Sequence, residues 1–139
     1  MDSQKTSGFT LIELLIVLFI IASFAIMAYP SYASFLLKTH RVDALTSLTQ
    51  EQMLLETCYA QNHSYAKNCE HLVRYPHNSP QGYYLLNLIK PSKSTYTLKA
   101  IATGAQTKDS HCTEFLIDQN NRKIAVDGDG AIQNDCWLL

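Results

Sequence analysis

The chain has 139 residues, 47% of them hydrophobic and 17% charged, with 11 basic against 12 acidic side chains. That length holds one small domain with an appended segment and excludes a large two-domain enzyme. A formal charge of -1 supplies no general basic field for nucleic acid.

Met1–Gly8 is a short polar leader in which Asp2 offsets Lys5. From Phe9 to Tyr29 the chain is predominantly apolar and its only charged residue is Glu13, and as a helix this run spans about 31 Å, close to a hydrocarbon core of about 30 Å. All its faces are apolar and so small a domain cannot surround such a rod, which argues against a buried core helix. The run is too long for a secretory signal, its leader is barely basic, and no A-x-A-like exit follows. Lys38 and Arg41 beyond the span outnumber Lys5, so charge does not fix its orientation, although the short leader favours the cytoplasmic side for itself.

Glu13 is the anomaly, because a carboxylate inside a span costs a few kcal/mol. A cut between Gly8 and Phe9 would create an ammonium group four residues before it, able to pair with the same carboxylate or with a neighbour's. The alternative is a snorkelling or protonated glutamate at the membrane edge.

Gly8-Phe9-Thr10-Leu11-Ile12-Glu13-Leu14, abutting an apolar rod that ends in Pro30-Ser31-Tyr32, resembles the N-terminus of type IV pilins. Tyr96-Thr97-Leu98, Thr107-Lys108-Asp109-Ser110-His111-Cys112 and Asn134-Asp135-Cys136-Trp137 look like PilE-type minor pilins of type IVa systems. The resemblance implies that a prepilin peptidase cuts after Gly8 and methylates the Phe9 amine, and that Glu13 neutralises the Phe9 amine of an adjacent subunit. It implies a structural subunit, held by inner-membrane lipid and assembly machinery and then packed with other pilins in an extracellular pilus serving adhesion or twitching motility. Ala22 stands where many members carry glycine, which opposes local melting of the helix. Phe35 stands where tyrosine is common and keeps the ring without the hydroxyl.

Pro30 removes a backbone donor and is expected to kink a continuing helix without ending it. Beyond it Phe35, Val42, Leu45, Leu48, Leu55 and Tyr59 form a helical stripe, with Lys38, Arg41, Asp43, Gln50 and Glu51 largely off it. The expectation is one helix over Phe9–Cys58, about 75 Å long, divided into a rod at 9–30 and an amphipathic part at 31–58. A loop at 59–82 follows, rich in Asn, His, Tyr and Pro. Residues 83–139 carry the strand candidates Tyr83–Ile89, Thr95–Thr103, Cys112–Asp118 and Lys123–Val126, with a hairpin turn over Asp118–Arg122 in which asparagine supplies positive φ. The fold class is α+β, a helix laid across one face of an antiparallel sheet.

Cys58, Cys69, Cys112 and Cys136 allow three pairings, and beyond a membrane span disulfides persist. Sequence-local pairing gives Cys58–Cys69 and Cys112–Cys136, each worth about 3 kcal/mol in the chain-entropy model; the second fastens the C-terminal tail, as the resemblance implies. A rival zinc set of Cys58, His63, Cys69 and His71 has no standard spacing, and His40, His77 and His111 read as surface residues. Asp127-Gly128-Asp129-Gly130 reads as a tight acidic turn, with weak calcium binding helped by Asp135 as the alternative.

The sequence shows no nucleophile elbow, phosphate-cradling loop or metalloprotease motif, so neither an enzyme nor a cofactor is expected. Lys90, Lys93, Lys99, Lys108, Arg122 and Lys123 lie in or near the strands, where they suit a DNA-uptake or adhesion surface or act only as solvated edge charges. A pseudopilin of a type II secretion system shares the N-terminus, but the two-cysteine C-terminal region fits a pilus subunit better.

Overall fold

The computed structural model describes residues 8–66, 69, 73–89 and 92–138. They divide into two compact units between Phe35 and Leu36. One helix, α1, runs over Leu11–Asn62 and carries Pro30 inside it. It begins two residues later than expected because Thr10 takes the cap position. The Thr10 hydroxyl accepts the Glu13 N–H at 3.3 Å, and the Thr10 carbonyl accepts the Leu14 N–H at 3.2 Å.

At its other end α1 runs past Cys58 by a further turn. The Asn62 amide donates back to the Cys58 carbonyl at 3.0 Å, and the Tyr59 ring stacks on Tyr65 with centroids 4.4 Å apart. The helix stops at His63, whose φ of 52° is left-handed and whose N–H bonds the Tyr59 carbonyl at 2.7 Å. The first four residues of the segment read as loop from its composition, 59–62, are therefore helical.

Within the second unit a five-stranded antiparallel sheet follows in sequence order: β1 (His77–Asn78), β2 (Tyr84–Ile89), β3 (Thr97–Ala102), β4 (Glu114–Asp118) and β5 (Lys123–Val126). The four expected strands are present, Lys123–Val126 with its expected bounds and the other three with trimmed ends. The two-residue β1 was missed, as was a 3-10 helix at Gly104–Lys108 that opens on Gly104 at φ 56°. The expected hairpin turn is present: Asn121 adopts φ 59°, and the Asp118 carboxylate accepts the N–H groups of Asn120 and Arg122, both at 2.9 Å.

Period-2 alternation puts Tyr84, Leu86, Leu98, Ala100, Phe115, Ile117 and Ala125 on one buried face, clustered with Ala44, Leu45, Leu48 and Leu55 of α1. Ala100 sits in register between Leu86 and Phe115, and its small side chain leaves room for their larger ones. Trp137 packs edge-on against Phe115, with centroids 5.7 Å apart, and extends the core beneath the β4–β5 side.

Candidate functional site

The first unit is built for burial that this chain does not itself provide. Phe9 is 86% exposed, Phe19 75% and Met27 77%, and the run meets the length and hydropathy of a membrane span. Gly8, Phe9, Thr10 and Glu13 border an open hollow of about 440 Å³, so the expected cleavage, methylation and pairing residues share one place. Thr10 and Glu13 also stand at the spacing of a capping box, a signal present in the sequence and missed there.

The second unit inverts an expectation. Arg41, Asp43 and Glu51, assigned to the solvent face of α1, are all buried, whereas Val42, assigned to the packing stripe, is exposed, as is Phe35 of that stripe at the end of the first unit. Each buried charge is occupied. Arg41 donates from Nε and Nη2 to the two carboxylate oxygens of Asp109 at 2.7 and 2.9 Å. Asp43 accepts from the Ser79 hydroxyl and from the backbone N–H groups of Gln81 and Tyr83.

Glu51 accepts the Tyr75 hydroxyl at 2.8 Å and meets His77 Nε2 at 3.0 Å. Burial pushes its carboxyl up to about 6, against the Tyr75 hydrogen bond that lowers it. Glu56 gathers the hydroxyls of Tyr65 and Tyr96, and the Tyr65 phenol is pushed up to about 12 by burial and then by that carboxylate. These contacts fix α1 on the sheet and set where the loops at each sheet end emerge.

Two disulfides close the unit: Cys58–Cys69 and Cys112–Cys136, with Cα–Cα distances of 5.7 and 5.9 Å. The first consumes both sulfurs of the rival zinc set, whose His71 lies outside the described residues. His40 is half-buried, stacked on Tyr83 at 3.7 Å and bonded to Gln106, and His77 is engaged with Glu51, so neither is a simple surface histidine. His111 is exposed. The calcium alternative also meets occupied ligands. Asp127 accepts the Gln133 amide and the N–H groups of Asp129 and Ala131, which hold its carboxyl below the usual range. Asp135 is held low by its hydrogen bond from His111.

The register sorts the cations. Thr97 faces Asp118, and Ile117 faces Lys123, so the β2–β3 connection with Lys93 and the β4–β5 turn with Arg122 and Lys123 lie at one sheet end. The end of α1 lies there too, since the Tyr65 N–H bonds the Lys93 carbonyl at 3.1 Å. Asp127, Asp129, Asp135 and Lys108 fall at the opposite end, where Glu114 faces Val126.

Over residues 30–116 the chain matches the family described as "Type IV minor pilin ComP, DNA uptake sequence receptor". The chain belongs to this type IV minor pilin family. Residues 3–29 of the pilin match the prokaryotic N-terminal methylation motif. Among curated proteins, none matches its sequence. The selenomethionine crystal structure of the Neisseria meningitidis non-core minor pilin PilV superposes with a TM-score of 0.57 at 15% identity. That match covers 73% of this chain and 97% of PilV, and it establishes the fold alone.

In this minor pilin the six cations singled out from sequence do not form one stripe. Lys93, Arg122 and Lys123 share an end and are exposed, with Lys123 Nζ 5.3 Å from the Trp137 ring centroid. Lys99 is bound to Glu114 at 2.6 Å on the sheet's outer face, Lys108 is at the acidic end, and Lys90 lies outside the described residues.

Proposed function

We propose that this minor pilin is a DNA-binding subunit of a type IV pilus, with the sheet end bearing Lys93, Arg122 and Lys123 turned to the phosphate backbone. The observation that carries the reading is the separation of charge along the sheet. A near-neutral chain puts Lys93, Arg122 and Lys123 at one end, where, among the described residues, the nearby carboxylates Glu56 and Asp118 are engaged by protein donors. Local cation density, rather than net charge, sets phosphate affinity. Membership of a family described as a DNA uptake sequence receptor supports the same reading.

Before assembly the apolar half of α1 anchors the subunit in the inner membrane, with the disulfide-closed unit outside the cytoplasm. Prepilin peptidase cuts after Gly8 and methylates the Phe9 amine. Glu13 pairs with the Phe9 amine of a neighbouring pilin, which sets the register in the filament. The apolar rod serves both states because lipid tails and neighbouring rods are similar surroundings for it.

The test is fluorescence anisotropy of a labelled DNA duplex with the full-length pilin in detergent, titrated across salt. Binding is expected to weaken with salt, and Lys93→Ala and Arg122→Ala are each expected to reduce the log–log slope by about 1. Lys108→Ala should leave the slope unchanged. Salt-independent binding, or equal effects at both ends of the sheet, would overturn the assignment.

A further inference from the structure

We propose that opening the Cys112–Cys136 disulfide converts the neck of the C-terminal region into a binding site for a soft divalent cation such as Zn²⁺, with His111, Cys112, Asp135 and Cys136 as its ligands. Two dipeptides, His111-Cys112 and Asp135-Cys136, face each other there. A ring nitrogen of His111 and the two sulfurs all lie within 4.8 Å of one another. The Asp135 oxygens stand 2.9 and 3.1 Å from His111 Nε2.

Two thiolates, an imidazole and a carboxylate make a four-coordinate set of the kind zinc takes, with metal–ligand bonds of about 2.0–2.3 Å. Tetrahedral ligands at those bond lengths are about 3.3–3.8 Å apart. The His111 nitrogen and the two sulfurs start within 4.8 Å of one another, with 5.9 Å between the cysteine Cα atoms, and Asp135 is brought to the set by its contact with His111.

The segment bearing His111 and Cys112 does not depend on the disulfide alone. The Cys112 N–H bonds the Asp109 carbonyl, the Thr113 N–H bonds the Val126 carbonyl and the Gly128 N–H bonds the Ser110 carbonyl. Asp109 itself is clamped by Arg41. His111 and Asp135 are 50% and 63% exposed at their side chains, so a cation reaches them from solvent before it meets the buried sulfurs. Cys58–Cys69 has no comparable group of three ligands among the described residues.

The chemistry balances in two steps. A dithiol reductant delivers two electrons and two protons to the Cys112–Cys136 bond, giving two thiols and becoming a disulfide itself. The cation then binds both sulfurs as thiolates and releases their two protons to solvent. One staple of the tail is exchanged for another, so the neck stays closed where a disulfide cannot persist.

The experiment uses the full-length pilin in detergent, reduced by a water-soluble phosphine that ends as its oxide, and titrated with Co²⁺ as a spectroscopic stand-in for Zn²⁺. One equivalent should give the absorption of tetrahedral thiolate-bound cobalt, displaced by Zn²⁺, with two protons released and far-ultraviolet circular dichroism unchanged. The oxidised pilin should give none. His111→Ala and Asp135→Asn should each weaken binding by about tenfold or more. The proposal fails if the signal persists in Cys112→Ser/Cys136→Ser, which retains Cys58 and Cys69. It fails equally if the reduced parent binds no cobalt, if it loses its fold, or if neither ligand variant weakens binding.

Discussion

Arg41 and Asp109 meet through two parallel hydrogen bonds of 2.7 and 2.9 Å, buried between the helix and the segment that leads into β4. Fork-to-fork contact of this kind fixes direction as well as distance. Removing one partner leaves the other charge buried alone, so Arg41→Ala or Asp109→Ala should cost about 3–5 kcal/mol. Urea unfolding with the disulfides intact measures it. The double variant Arg41→Met/Asp109→Leu should recover much of that loss, because no lone charge then remains.

Glu51 gives the unit a definite pH dependence. Its carboxyl titrates at about 6 in the fold against a usual value of 4.5, so the folded state holds the proton more tightly than the unfolded chain. The stabilisation from protonation is fully present below 4.5 and is lost as pH rises through about 6. Glu51→Gln keeps an acceptor for Tyr75 without a charge. It should be more stable than the parent at pH 7 by on the order of 1–2 kcal/mol, with the difference fading below pH 4.5. Equal stability of the two proteins across pH 4–8 would refute the assignment.

Cys112–Cys136 ties the last residues to the start of β4. In Cys112→Ser/Cys136→Ser the stability should fall by about 2–5 kcal/mol. Trp137, which packs on Phe115, should become more exposed, read as a red shift of its fluorescence. Limited proteolysis should then cut first between Asp127 and Leu138, where pairing with the sheet is confined to an isolated bridge from Val126 to Ile132.

Glu13→Leu tests the proposed assembly pairing. The variant deletes the only charge in the rod, so membrane insertion should be intact or improved. Incorporation into sheared filaments should drop sharply, as measured by quantitative mass spectrometry against the other pilins. Normal incorporation would remove Glu13 from the assembly mechanism.

The apolar rod, the α+β class, the four longer strands and the asparagine turn were legible because each is written in local periodicity or turn chemistry. Asn121 at φ 59° follows from an Asp-Gln-Asn-Asn run between two strands. The burial of Arg41, Asp43 and Glu51 was not legible. A charge on a helix counts toward the solvent face in any periodicity, and what reverses that is a partner far away in sequence. Asp43 finds Ser79, Glu51 finds Tyr75, and Arg41 finds Asp109.

The cation distribution followed the same rule. Lys93 and Arg122 are separated by β3 and β4, and only the strand register sets them at one end, while Lys99 and Lys108 are sent elsewhere. The sequence by itself determined what each segment is, because helix and strand propensity and hydrophobic period are properties of neighbours. Which charges are buried and which share a surface was decided by the tertiary structure, because a charge enters an apolar interior only where a partner from another segment meets it.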